Sequence, residues 1–373
     1  MFFLLLAPHG VIAAAGEGCG RATMPVGQQL FADDLDLEGV EAALDRSIAS
    51  LSRLPPERRF PLCGQEVAAG RLLDSLRAFR GMVADHPSPS ELARRIDQHF
   101  RVCRSVGQTG QGDMLVTGYF EPRSRASLVR TATFRYPLYR PPSDLITEAG
   151  KPGRRERGQV VPYWSRAEIE DGNLLAGQEL VWLDDPVAAF VLHVQGSGRV
   201  VLPDGSERRV QYAAKNGREY RSIGRVLVER GAIPLAEVTL PRIVAYLRSH
   251  PAEQREILHQ NDSFIFFRWG DDRAGGPQGC LGEPLTPGRS VALDQTCFPP
   301  GALGFLMSQQ PVFAESGEIV GWRPLSRFVF NQDTGSAIKG AGRLDLFLGA
   351  GQQAEATAGN LKHPGSLYFL VPR

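Results

Sequence analysis

Two aspartates stand out by their settings. Asp333 lies in Asn331-Gln332-Asp333-Thr334-Gly335, and Asp345 closes Gly340-Ala341-Gly342-Arg343-Leu344-Asp345, each near a strand-like run. Neighbouring glycines let a polymer approach the backbone closely at both places. Carboxyl groups so placed can work as general acid and base, although residue type alone favours two turn aspartates that accept local N–H groups. Other constellations are weaker. Gly349-Ala350-Gly351-Gln352-Gln353-Ala354 has the form of a dinucleotide fingerprint, but too few residues follow for the helix, strand and distal acid that such a site needs. Gln195-Gly196-Ser197-Gly198-Arg199 imitates a nucleophile elbow, yet Gln195 and Arg199 occupy the two outer positions that require glycine. Cys280 or Cys297 with His193 would make a thiol–imidazole pair only if something stabilised a thiolate, and nothing in the sequence does. His193 is read instead as a satisfied structural histidine. Five Cys and seven His form no CxxC and no HExxH, so neither a metal nor a cofactor is expected.

The elements that must position these residues follow from composition and period. A chain of 373 residues suggests two domains, and its 42% hydrophobic, 22% charged composition supports a packed core. The net charge of +1 supplies no field for DNA or RNA. No stretch offers the ~18 consecutive apolar residues of a membrane-spanning helix. With 41 Gly and 27 Pro, short strands and turns are favoured. From Asp33 to about Val106 the period is helical: Leu37, Val40, Leu44, Ile48 and Leu51 share one face, and Leu73, Leu76 and Phe79 another. Ser88-Pro89-Ser90-Glu91 then predicts a capped helix carrying Leu92, Ile96 and Phe100. At Met114 to Phe120 the pattern becomes a strand, stopped by Pro122. Leu202-Pro203-Asp204-Gly205 predicts a reversal between two strands, and Thr239 with Pro241 opens a helix. Ser263 to Phe267 is strand-like. Beyond Gly275 the chain reads as almost wholly β, with strands at Ser290–Asp294, Arg327–Asn331, Leu344–Leu348 and Leu367–Val371.

The N-terminus carries an apolar run, Phe2 to Leu6, and Ala13-Ala14-Ala15 resembles a signal cleavage site. Residues 1–20 are therefore expected to be an export signal, with Cys19 as a poorly matched lipidation candidate. Export would permit disulfides; Cys280 with Cys297, and Cys63 with Cys103, are the candidate pairs.

Four motifs occur in a telling order: Val116-Thr117-Gly118-Tyr119-Phe120-Glu121-Pro122, Val194-Gln195-Gly196-Ser197-Gly198, Tyr220-Arg221-Ser222-Ile223-Gly224, and Asn331 to Gly340. Together they resemble the membrane-bound lytic murein transglycosylase A family, and the Asp-Thr-Gly with the later Asp is similar to its three-aspartate ("3D") module. The resemblance spans about Gly112 to Val371. It implies a mainly β fold, a double-psi β-barrel domain with N-terminal helices, into which a second, β-barrel-like domain is inserted with a sugar-binding groove between them. On this division 21–118 and 273–373 form the split barrel, and 119–272 the substrate-binding insert.

The implied activity is that of a lytic exotransglycosylase. It cleaves the β-1,4 bond between N-acetylmuramic acid and N-acetylglucosamine in peptidoglycan and leaves a 1,6-anhydro end. The family's catalytic acid falls on Asp345 and its partner on Asp333. Thr117, Gly118, Tyr119, Gln195, Ser197 and Tyr220 fall where substrate-binding residues are expected, and Lys339 and Arg343 could meet stem-peptide carboxylates. Relatives often carry an acid soon after the catalytic Asp, where this chain has Gln352-Gln353, so Asp294 becomes the candidate third aspartate. Glycosidases ordinarily need two carboxylates; here the sugar's own C6 hydroxyl would attack C1, so one acid that later serves as base suffices. Such an acid must begin protonated, which burial and a like neighbouring charge favour. The implied partners are peptidoglycan glycan strands and other cell-wall enzymes, for a monomer exported to the periplasm or outer membrane of a Gram-negative bacterium. The alternative is a non-catalytic cell-wall polysaccharide-binding module, since barrels of this class also bind without cleaving; a hydrolase using both aspartates is a lesser option.

Overall fold

The computed structural model describes residues 23–25, 31–271, 275–335 and 337–373; the expected signal segment with Cys19, and Ser336, lie outside them. The described residues form two compact units. One comprises Glu121–Pro277 and Ala350–Glu355, the other the residues up to Phe120, Gln278–Gly349 and Ala356–Arg373.

The second unit carries six strands that matter for the site: β1 (Met114–Glu121), β2 (Ser290–Ala292), β3 (Leu303–Phe313), β4 (Ile319–Asp333), β5 (Arg343–Ala350) and β6 (Lys362–Pro372). They neighbour one another in the order β6-β3-β4-β2-β5-β1, and β1 pairs back onto β6, closing a six-stranded ring. Closure is what removes the unpaired edges an open sheet would present. β2 runs parallel to β4 and antiparallel to β5. The strand Phe100–Ser105 adds to β6 through Tyr368–Pro372.

Three helices lie in the same unit: α1 (Val40–Leu51), α2 (Ala69–Val83) and α3 (Pro89–His99). α3 starts as its sequence predicts, with Pro89 in the first turn and the Ser88 hydroxyl accepting the Glu91 N–H. Phe100, expected on that helix, instead opens the following strand. α1 begins three residues later than the Leu37 stripe suggests, because the Asp33 carboxylate accepts the N–H groups of Leu35 and Leu37 and holds a turn there. The helical stripes and the barrel strands share one core. Phe79 of α2 sits 4.9 Å from Phe328 of β4, and Phe31 lies 5.0 Å from Phe305 of β3, ring centre to ring centre.

Cys63 and Cys103 form a disulfide with a sequence separation of 40, tying the hairpin before α2 to the strand after α3. On the loop-closure account a ring of that size contributes about 4 kcal/mol. The other candidate pair is not made. Cys297 is buried, and the exposed Cys280 turns its Sγ toward the Gln332 carbonyl and the Gln295 amide.

The first unit centres on a six-stranded sheet in the order Ile265–Trp269, Glu207–Lys215, Ser197–Val201, Arg123–Ser127, Glu179–Leu183, Tyr136–Tyr139. The predicted reversal at Pro203-Asp204-Gly205 joins two of these strands, Gly205 adopting φ +82°. Thr239 caps the helix Leu240–Ser249 as expected. Beyond Gly275 one expectation is corrected: a helix, Gln352–Asn360, follows β5, and β3 and the first half of β4 form an unforeseen hairpin. Among the described residues no helix is long and apolar enough to cross a membrane.

Candidate active site

Ala292 organises the site. On one side it pairs with Asp333 of β4, on the other with Asp345 of β5. Both carboxylates meet β1 on one face: Asp345 bonds Thr117, and Asp333 bonds Tyr119 two residues further along the strand. Their Cα atoms are two strand spacings, about 10 Å, apart. Leu344 and Leu346, the neighbours of Asp345, alternate into the hydrophobic core. The row continues beyond Asp345. Its Oδ1 accepts a short hydrogen bond from the Thr117 hydroxyl of β1, and Thr117 in turn faces Lys362 across the β1–β6 closure.

Asp345 is fully buried, and its two oxygens are treated differently. Oδ1 is held by Thr117 and by Arg343, whose Nη2 lies 3.4 Å away. Oδ2 is buried and has no hydrogen-bond partner among the described residues. A buried oxygen left unpaired costs ~1–3 kcal/mol.

Asp333 is half-buried and better supplied. Its Oδ1 accepts the N–H groups of Thr334 (2.9 Å) and Cys280 (3.2 Å), and its Oδ2 accepts the Tyr119 hydroxyl at 2.9 Å. Burial raises its pKa above the ordinary carboxylate value, outweighing these three donors, which favour the charged form. Tyr119 is itself buried against Phe347, and burial together with the Asp333 charge pushes its hydroxyl well above its usual pKa, so it stays a donor. A raised pKa means that folding favours the protonated carboxyl: the associated stability is complete below ~3.9 and is lost as pH rises through the folded value. Asp333→Asn should therefore melt higher than the parent at pH 7, with the two converging near pH 4. The Asn oxygen can keep both N–H donors while its NH2 donates to Tyr119. A variant no more stable at pH 7, measured by calorimetry across pH, would contradict this assignment.

The third aspartate serves the loop between these two. Asp294 Oδ2 accepts the Gly340 N–H at 2.7 Å, and Oδ1 accepts both the N–H and the hydroxyl of Thr296. Burial alone would raise its pKa, but these bonds and the charge of Lys339 hold it below the usual value. Lys339 is exposed and sits with Asp294. Gly118 is needed for packing: a Cβ there would meet Leu348 at 2.8 Å and the Ala358 backbone at 2.9 Å. Glu121, the other acid near β1, is 2% exposed and paired with Arg209 at 2.5 Å and Arg199 at 3.2 Å, which commits it to structure.

Gln195, Ser197 and Tyr220 belong to the other unit. Gln195 ends the helix Pro186–Gln195, Ser197 opens the next strand opposite Gln211, and Tyr220 helps line an apolar cavity with Phe190, Val194 and Ile243. His193 is structural: it is buried, its Nδ1 accepts the Ile265 N–H, and burial beside Arg166 pushes its pKa well down. Among the described residues no cluster of three or more His, Cys, Asp or Glu could hold a metal ion. No local motif marks Lys362; its place opposite Thr117 arises only from the pairing of β1 with β6.

Residues 115–268 match the MltA specific insert domain, and residues 289–371 match the 3D domain. The membrane-bound lytic murein transglycosylase A of Escherichia coli K12 is 34% identical over 267 residues, covering 71% of this chain and 67% of that protein. The chain belongs to the membrane-bound lytic murein transglycosylase A family. The same enzyme from Vibrio cholerae is also 34% identical over 267 residues, 71% of this chain and 67% of that one. Two solved members of the family share the fold. A membrane-bound lytic murein transglycosylase from Agrobacterium tumefaciens superposes with a TM-score of 0.78 at 28% identity, over 94% of this chain and 98% of that one. The E. coli MltA structure with bound chitohexaose gives 0.75 at 27% identity, over 95% of each chain. The closed ring with N-terminal helices is thus the family's barrel, and the row Asp333-Ala292-Asp345 lies inside the 3D domain.

Proposed function

We propose that this chain is a lytic transglycosylase of peptidoglycan, cleaving the β-1,4 bond between N-acetylmuramic acid and N-acetylglucosamine, with Asp345 as general acid and then general base. The observation that carries this reading is the asymmetry of Asp345. One oxygen is tethered by Thr117 and Arg343, and the other is buried with no hydrogen-bond partner among the described residues. A structural aspartate would satisfy both oxygens, as Asp294 does. A free, oriented Oδ2 suits an acid that gives a proton to the glycosidic oxygen.

As that proton is transferred, the C1–O bond breaks and C1 becomes oxocarbenium-like. The C6 hydroxyl of the same ring then attacks C1, and its proton passes to Asp345, restoring the acid. The products are a 1,6-anhydro-muramic end and a free 4-hydroxyl, with no water consumed. An intramolecular nucleophile has a large advantage in effective concentration. Asp333 stands one residue across from the acid, where its charge stabilises positive charge developing at C1, and Tyr119 holds that carboxylate in place.

The domain assignment follows the same reading: 21–118 with 273–373 as the catalytic barrel, and 119–272 as the insert that binds glycan through Gln195, Ser197 and Tyr220. Export to the periplasm, at the outer membrane or free of it, fits the Cys63–Cys103 disulfide, which an oxidising compartment permits. The protein acts there as a monomer beside other cell-wall enzymes.

Mass spectrometry of soluble products from purified sacculi tests the proposal. Anhydro-muropeptides are expected. Hydrated reducing ends would instead mean a hydrolase, and sedimentation with sacculi without any product would mean a binding module.

A further inference from the structure

From Pro122 to Ser143 the chain carries five arginines, Arg123, Arg125, Arg130, Arg135 and Arg140, and no acidic residue, although the net charge of the whole is only +1. All five are exposed. The segment lies within the first unit and supplies the strands Arg123–Ser127 and Tyr136–Tyr139 and the loop 128–135 between them. Both strands flank Glu179–Leu183, whose Trp182 pairs with Ser127 on one side and Pro137 on the other. The loop crosses from one to the other, and Arg130 lies over the Trp182 ring. Its shape is fixed from within. The Ser127 hydroxyl accepts the Val129 N–H, and the Thr131 hydroxyl accepts those of Thr133 and Phe134. Yet this ordered loop holds Leu128 and Val129, neighbours in the chain, 52% and 66% exposed. Aliphatic side chains fixed in water gain free energy when an apolar phase covers them. The charge beside them is only partly balanced. Arg123 pairs with Glu207 and Arg125 with Asp184, but among the described residues no carboxylate lies at salt-bridge distance from Arg130, Arg135 or Arg140.

We propose that the loop 128–135 and the arginines around it form a docking surface for a membrane that carries anionic lipid headgroups. The guanidinium groups meet lipid phosphates, and Leu128 with Val129 enters the boundary between headgroups and acyl chains. Phe134, Tyr136 and Trp182, each half-buried and each against one of these arginines, sit at the depth that aromatic side chains favour at such an interface. Charge and apolarity together choose the partner. An anionic polymer, whether a stem peptide or a nucleic acid, would answer the arginines and give the Leu128-Val129 pair nothing. A lipid surface answers both. The inference goes beyond the transglycosylase reading and does not depend on it.

Vesicle sedimentation of the full chain tests this, with pure phosphatidylcholine vesicles beside equimolar phosphatidylcholine–phosphatidylglycerol vesicles. The readout is the ratio of the two affinities, in which any attachment indifferent to lipid charge cancels. The parent should prefer the anionic vesicles, and the preference should fall as salt is added. An arginine near an anionic surface contributes about fivefold, so the double variant Arg130→Gln/Arg135→Gln should lower the ratio about 25-fold. Arg77→Gln/Arg94→Gln removes the same charge from exposed positions of the other unit and should leave the ratio nearly unchanged. Leu128→Ser/Val129→Ser should weaken binding to the anionic vesicles about tenfold without altering its salt dependence. All of these side chains are exposed, and unchanged melting by circular dichroism separates a loss of binding from a loss of fold. A parent ratio near one overturns the proposal, as does an Arg130→Gln/Arg135→Gln ratio no lower than that of the charge control. A loss of binding confined to purified sacculi also overturns it, because the patch would then contact the wall and not the lipid.

Discussion

Asp345→Asn should lower the release of anhydro-muropeptides by on the order of 10³-fold, because it removes the group that both gives and receives the proton. The same substitution should leave the fold intact. The Asn side chain has nearly the same volume, its oxygen keeps the Thr117 hydroxyl, and its NH2 replaces an oxygen that has no partner among the described residues. Activity and melting temperature are thus expected to separate: a large kinetic loss with a melting point equal to or above the parent's. Groups that strain a fold for the sake of chemistry commonly behave in this way. A variant that still cleaves sacculi would end the assignment. A variant that fails to fold would show Asp345 to be structural, which Thr117→Val, keeping the carboxyl but cutting its tether, would distinguish.

A second large effect concerns the clamp behind the site. Arg289 is fully buried immediately before β2, the strand that carries Ala292 between the two aspartates. Its Nη1 and Nη2 bind the two oxygens of Asp33 at 2.6 and 2.9 Å, its Nε donates to the Glu38 carbonyl, and Asp33 also accepts the Phe328 N–H. Removing one partner of a buried pair strands the other's charge, at about 3–5 kcal/mol. Asp33→Ala should therefore lose that much stability at neutral pH in chemical denaturation. The pH dependence has a definite sign. Burial would raise the Asp33 pKa, but the Arg289 bonds and charge and the backbone donors prevail and lower it. A depressed carboxylate contributes fully above its unfolded value, ~3.9, and loses the contribution as pH falls through the folded value. The gap between Asp33→Ala and the parent should hold from pH 7 to about 4 and narrow below that. A gap that widens in acid would contradict the clamp.

Much of this was legible in residue patterns, and the failures have physical causes. The Ser88 cap, the Met114–Phe120 strand and the Leu202–Gly205 reversal could be read because each depends on residues close in sequence. β3 escaped because Gln309-Gln310-Pro311 breaks its alternation, and the first half of β4 is exposed on both faces, so neither shows a period. The helix after β5 escaped because it is nine residues long and enters through Gly349 and Gly351, both at φ of about +90°. Asp333 and Asp345 were found through motif resemblance, yet nothing local says that Ala292 lies between them: that depends on a parallel pairing with a register shift. The Arg289–Asp33 clamp joins residues 256 apart, and the tether of Asp345 to Thr117 spans 228. Contacts at such separations follow from the closed ring and leave no trace in spacing.

The closure of β1 on β6 has a consequence in time as well as in space. Thr117 and Lys362 lie 245 residues apart in the sequence, and the pairing that joins them also completes the row around Asp345. The longest loop closures carry the largest entropy cost and tend to form late. Until that pairing forms, β1, the strand that carries the tether, is an edge held by β5 alone. The fold thus has a built-in order of events, in which the site is assembled only when the ring closes. A chain whose ring is still open can contain every residue of the 3D motif and still lack the assembled site.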